Sequence, residues 1–265
     1  MKHTLLPARL SLRFLWLAGG AVVRSLLYFF SEFMSSLYKN IFFDLDDTLW
    51  AFSANARDTF EEMYAKYGYA RFFTSFDHFY SLYQRRNLEL WEEYGQGQIT
   101  KEELNRQRFL YPLEQVGQGD ADLAKRFSED FFSVIPTKKK LMPHALEVLE
   151  YLSGRYRLYI LSNGFQELQC HKMRSAGIDG YFRKVILSDD IGVLKPHAEI
   201  FRYALTVTGS SVEDSLMVGD SWENDVVGAQ GVEMHQAFLD VHEPLALPFE
   251  PTYHIRDLKE LLSFL

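Results

Sequence analysis

Residues 41–50 read Ile-Phe-Phe-Asp-Leu-Asp-Asp-Thr-Leu-Trp. Ile41, Phe42 and Phe43 form the short apolar run that fills a buried parallel strand. Asp44, Asp46, Asp47 and Thr48 follow at once. Carboxylates crowded at a strand end are costly unless a cation or hydrogen bonds hold them. Side chains alternate along a strand, so Asp44 and Asp46 can face one crevice. In open α/β sheets, ligand crevices lie at the carboxyl ends of the strands. Taken alone, the stretch could still be a solvated acidic turn.

Three further stretches follow in order: Leu161-Ser162-Asn163-Gly164, Leu194-Lys195-Pro196 and Val218-Gly219-Asp220-Ser221-Trp222-Glu223-Asn224-Asp225. With residues 41–50 they resemble the four signatures of the haloacid dehalogenase-like superfamily of aspartyl-phosphate phosphatases. The resemblance runs from about residue 38 to the C-terminus. It implies that Asp44 is the nucleophile and Asp46 the general acid and base. Mg²⁺ would be held by Asp44, the backbone carbonyl of Asp46, Asp220 and Asp225, the last directly or through water. Thr48, Ser162, Asn163, Gly164 and Lys195 would serve the phosphate, with Thr48 and Ser162 either bonding its oxygens or orienting Asp46.

The chemistry fits these residue types. Phosphoryl transfer needs an in-line nucleophile, charge neutralisation and a proton for the leaving group. A carboxylate attacking a phosphate dianion meets repulsion, which Mg²⁺ offsets. Backbone N–H groups of Asn163 and Gly164 near a helix start would suit an anion. An acid at Asp46 argues against the dehalogenase branch, because halide leaves without a proton. Asp225 could also be a helix N-terminal acid, Lys195 a solvated lysine, and Ser162-Asn163-Gly164 an ordinary turn. Their order along the chain favours the functional alternative. His171 and His197 are read as bystanders. Zinc-ligand spacing, P-loops and dinucleotide fingerprints are absent.

The chain has 265 residues with net charge -8, 47% hydrophobic and 24% charged. That is a soluble-type composition for one large domain or a core with an insertion. The negative balance disfavours a nucleic-acid polymer as partner and leaves a small phosphorylated metabolite. Cys170 is the single cysteine, so no intramolecular disulfide forms. Residues 1–33 differ: Lys2, Arg9, Arg13 and Arg24 stand against Glu32, and Phe14 to Val23 is uninterrupted apolar sequence. A spanning helix wants about 20 apolar residues. Arg24 would cost roughly 2.5–3.5 kcal/mol at its centre. The segment reads as an upstream extension before a native start at Met34, as a membrane anchor, or as an export signal. Membrane contact is expected only if it is native and retained, and the enzyme is otherwise expected in the cytoplasm.

Helical periodicity fills residues 53–136. Ser53 is expected to cap a helix carrying Ala56, Phe60 and Met63. A second helix is expected from about Ser75 to Tyr94, a third opened by a Thr100–Glu103 capping box, and a fourth opened by Asp120. Pro143 suits the start of a fifth helix. From Arg157 onward strand and helix alternate, which means βαβ units. The expected fold is α/β: a Rossmann-like parallel sheet in residues 34–52 and 137–265, with a helical bundle cap at 53–136. The cap's Arg85, Arg86, Arg106, Arg108, Trp91 and Tyr94 read first as a solvated helix face over a bundle core; the alternative is that one or two of the basic or aromatic residues project over the active site and read the substrate. The stretch from Phe43 through Trp50 and Phe52 into the cap is most similar to the bacterial pyrimidine 5′-nucleotidase branch, which implies a nucleoside 5′-monophosphate. A sugar-phosphate phosphatase or phosphomutase is the alternative; a dehalogenase or a membrane-tethered binding module fits less well.

Overall fold

The computed structural model describes residues 37–241 and 247–265. The expected extension at 1–33 and the start at Met34 lie outside the described residues. Strand β1 (Asn40–Phe43) is buried along its whole length. Ile41 and Phe43 enter one apolar cluster and Phe42 another, so both faces are covered. That is why the run is apolar throughout rather than alternating.

Five strands join β1: β2 (Arg157–Ser162), β3 (Lys184–Leu187), β4 (Ser215–Gly219), β5 (His235–Leu239) and β6 (Tyr253–Ile255). All pairs are parallel, in the order β3-β2-β1-β4-β5-β6. The order reverses at β1, the switch point at which such sheets bind ligands. β6 is not legible in the sequence, because three residues soon after Pro251 carry too little pattern to read as a strand.

Four α-helices follow β1 before Pro136: α1 (Phe52–Lys66), α2 (Phe76–Gly95), α3 (Lys101–Gln115) and α4 (Ala121–Val134). They form the helical cap. Its core is aromatic: the Phe60 ring lies 4.3 Å from Tyr83 and 4.3 Å from Phe131, with Phe79, Phe109 and Phe127 around it. Ser75, Thr100 and Asp120 cap their helices through side-chain bonds to the backbone three residues on. Glu103 does not complete a capping box; its carboxylate takes Arg106 and Gln107 instead.

Ser53 is not the cap of α1. The helix starts one residue earlier, and Asp47 caps it from outside by accepting the Ser53 amide (2.8 Å) and hydroxyl (2.6 Å). Asp47 can do so because its φ of 57° turns the chain back on itself. Pro143 likewise stands outside the next helix, α5 (Ala145–Ser153), which begins after His144 at φ 60°. Helices α6 (Gln166–Ala176) and α7 (Ala198–Thr208) complete the crossovers. Both end in a left-handed glycine, Gly177 and Gly209. Among the described residues no helix is long and apolar enough to cross a membrane.

Candidate active site

Register brings the motifs together. Phe43 pairs with Ile160 on one side and Val218 on the other. The next residue, Asp44, therefore emerges between the ends of β2 and β4, and its amide donates to the Val218 carbonyl at 2.9 Å. Lys195 reaches into the same gap and is 3% exposed. Its ammonium uses all three protons: to Asp44 Oδ1 at 2.7 Å, Asp225 Oδ1 at 2.6 Å and the Leu161 carbonyl at 2.8 Å. Asp44 Oδ2 has no hydrogen bond among the described residues.

Asp225 stands in the helical turn Trp222–Val227 that follows β4. Its second oxygen accepts the Ser221 amide at 3.1 Å. Gly219 makes this possible, because a Cβ there would overlap the Asp225 carboxylate. Asp220 is clasped by Thr48 in both directions: the hydroxyl donates to Oδ1 at 2.7 Å and accepts the Asp220 amide at 3.0 Å. Thr48 is thus fully buried and committed to Asp220. This corrects the expectation that it meets the phosphate or orients Asp46.

Carboxylate oxygens of Asp44, Asp220 and Asp225 lie within 4.8 Å of one another. Burial pushes the Asp44 carboxyl up to about 7; Lys195 opposes this, while Asp225 and Asp46 add to it. Burial, then Asp44 and Asp225, push Asp220 up to about 8 against the Thr48 bond. For Lys195 burial works downward, but Asp225 and Asp44 outweigh it and hold the ammonium above its usual range. One lysine therefore does not neutralise the group. An all-oxygen donor set with surplus negative charge and neither His nor Cys suits a hard divalent cation.

The family-model comparison matches residues 38–232 to the haloacid dehalogenase-like hydrolases. The chain belongs to this family. It is 31% identical over 230 residues to the pyrimidine 5′-nucleotidase YjjG of Escherichia coli, covering 85% of this chain and 96% of that one. It is 27% identical to the pyrimidine 5′-nucleotidase PynA of Streptococcus pneumoniae, over 86% of this chain and 95% of that one. Among solved structures, the HAD-hydrolase YfnB of Bacillus subtilis, crystallised bound to magnesium, superposes with a TM-score of 0.76 at 25% identity. That match covers 85% of this chain and 97% of YfnB.

Within this haloacid dehalogenase-like site, Asp46 is held in a way the sequence did not announce. Lys172 Nζ donates to both its oxygens, at 2.8 and 3.0 Å, and Gln169 Nε2 donates to Oδ2 at 3.0 Å. Gln169 also donates to Ser162 Oγ at 2.8 Å. The Lys172 ammonium lies 4.7 Å from the Trp50 ring and 5.2 Å from Phe52. Trp50 is core, fully buried, with its indole N–H on the Lys138 carbonyl. Gln169 and Lys172 share the buried face of α6 with Met173. Polar residues three apart on the stripe this helix buries are the sign of these contacts in the sequence.

Ser162 Oγ also accepts the Gly164 amide at 3.2 Å. The Asn163 side chain works on Lys195 by bridging its backbone N–H at 2.7 Å and C=O at 3.0 Å. Asn163 is therefore a brace for the Lys195 loop, and Gly164 is small because a Cβ would overlap Gln169.

A cavity of about 600 Å³ opens over these groups. Asp44, Asp46, Ser162, Asn163, Gly164, Lys195, Asp220 and Asp225 all line it; Thr48 does not. The cap closes its other side. Trp91 stacks on Phe165 with centroids 5.4 Å apart, Tyr94 meets the same ring edge-on at 6.0 Å, and Lys101 lies 3.9 Å from its centre. Of the cap arginines, Arg85 bonds the Tyr111 hydroxyl, Arg86 pairs with Glu89 and Glu93, and Arg106 pairs with Glu103. Arg108 alone of the four lines the cavity. His197 lines it as well, whereas His171 is exposed and does not.

Proposed function

We propose that this phosphoric monoester hydrolase removes phosphate from nucleoside 5′-monophosphates through an aspartyl-phosphate on Asp44, with Mg²⁺ as cofactor. The observation that carries the proposal is the joint placement of Asp44, Lys195, Asp220 and Asp225 beneath a ring-lined cavity. Likeness to two pyrimidine 5′-nucleotidases along nearly their whole length supports the substrate class.

Asp44, Asp220 and Asp225, with the Asp46 carbonyl, would hold the ion. When bound, Mg²⁺ supplies the positive charge that lets a carboxylate approach a phosphate dianion. The unbonded Oδ2 of Asp44 attacks phosphorus while Lys195 fixes Oδ1 and keeps the other oxygen turned to the cavity. Asp46 protonates the departing 5′-oxygen, then takes a proton from the water that breaks the acyl phosphate. Gln169 and Lys172 orient Asp46 from below, so the acid is aimed without a contact from the substrate. Residues 34–52 and 137–265 carry this chemistry in the proposal, and 53–136 meets the nucleoside. A cavity of this size suits a nucleoside, within the usual range of roughly 300–1,000 Å³.

The test is a phosphate-release screen across nucleoside monophosphates and sugar phosphates, with Mg²⁺ and with excess chelator. Nucleotide turnover that stops in chelator and returns with Mg²⁺ is expected. Full activity in chelator removes the metal, and a clear preference for sugar phosphates removes the nucleotide. Asp44→Asn should show no burst of leaving group from an aryl phosphate; a burst would mean that Asp44 is not the nucleophile.

A further inference from the structure

The cap holds a buried cation that this chemistry leaves unused. Arg108 is 6% exposed, on α3 one turn after the buried Leu104. One Nη donates to Asn105. The other reaches Asn87 Oδ1 only at 3.5 Å. Its Nε is buried with no hydrogen-bond partner. Among the described residues no carboxylate pairs with it; the Phe132 ring lies at 4.8 Å, and the Tyr83 hydroxyl is the one further polar group close enough to act on its charge. A guanidinium only donates. A buried donor such as this Nε, without an acceptor among the described residues, gains free energy from any acceptor brought to it.

Its position says what that something is. Arg108 and Asn87 line the cavity that also reaches Asp44. Other walls are aromatic: Phe52, Trp91, Phe132 and Phe165. Flat apolar walls accept a planar ring, and a donor-only group among them asks that ring for oxygen acceptors. Asn87 adds an amide NH₂ that has no hydrogen bond among the described residues. A hydrated second anion would match the charge of Arg108 but not the rings beside it.

We infer that Arg108 and Asn87 form a base-reading subsite that takes the keto oxygens of a pyrimidine ring. This rests on the nucleotidase proposal and adds to it the residues that select the base. An exocyclic amino group presented to the same donors would meet N–H against N–H, so uracil and thymine are favoured over cytosine.

The readout is the ratio of kcat/KM for uridine 5′-monophosphate to that for ribose 5-phosphate, which has the same reacting end and no base. Arg108→Met should lower the ratio roughly 10- to 100-fold, the loss of one charge-assisted hydrogen bond. Asn87→Asp is the second variant and is expected to fold, because it gives Arg108 an internal carboxylate partner. It should raise Tm while lowering the same ratio. A ratio that both variants leave at the parent value, whether activity falls uniformly or not at all, overturns the subsite. If Arg108→Met instead selectively impairs a sugar bisphosphate, the group reads an anion and the inference is wrong. A parent enzyme that turns over ribose 5-phosphate as well as uridine 5′-monophosphate refutes the nucleotide proposal and the subsite together. A parent preference that survives in both variants refutes the subsite alone.

Discussion

Replacing Lys195 by methionine keeps most of the side-chain volume and removes the ammonium. Three hydrogen bonds of 2.6 to 2.8 Å disappear at once. Asp44 and Asp225 are left buried, with Asp220 close by. Removing one partner of a buried ion pair costs about 3–5 kcal/mol. In a protein of this size each kcal/mol moves Tm by about 2–4 °C, so the metal-free variant should melt about 6–20 °C below the parent. The deficit should depend on pH. The folded-state pKa of Asp44, about 7, already exceeds the ordinary carboxyl value of 3.8, so the native state binds more protons than the unfolded one between them. Stability therefore falls as pH rises through this window. Without Lys195 the carboxyl pKa values rise further and the penalty extends to higher pH. The variant can escape by protonation at pH 6.0 but not at pH 8.5. The assay is thermal melting of both proteins in chelator at the two pH values, then again with Mg²⁺. A larger deficit at pH 8.5, partly recovered by Mg²⁺, is expected. An equal deficit at both values, or none, would show that the ammonium does not compensate these carboxylates.

Asp46→Asn should lower turnover of a nucleoside monophosphate about 10²–10⁴-fold. It should still release aryl alcohol from an aryl phosphate in a burst and then stall; near-parent turnover of the nucleotide would end the acid/base assignment. Thr48→Val releases Asp220 from its clasp and should weaken Mg²⁺ binding about 10–100-fold with little change in fold. Mg²⁺ titration of activity checks this, and an unchanged midpoint would show that the clasp is idle. Gly219→Ala places a methyl group where the Asp225 carboxylate lies, so Asp225 should leave Lys195 and both Tm and activity should fall. A variant with the parent's Tm and rate would show that the contact is not tight.

Residues 41–50 made the sheet legible because a strand covered on both faces must be apolar throughout. Short-range chemistry did the rest of the framework: Ser75, Thr100 and Asp120 cap their helices within three residues of themselves. That Asp44, Lys195 and the last acidic motif belong together was legible from their order along the chain, and the structure brings Asp44, Lys195, Asp220 and Asp225 into one cluster. What the chain order could not give was which side chain spends its hydrogen bonds on which. Thr48 turned out to serve Asp220 across 172 positions of sequence, and Asp46 is held by Lys172 from 126 positions away. Asp47, a neighbour in the same motif, caps a helix instead of joining the cluster. Arg108 looks like any surface arginine until the cap folds around it and leaves its Nε without an acceptor. Strand and helix identity follow from local sterics and periodicity. The pairing of buried polar groups is settled only when distant segments are packed together and each group must find a partner away from water.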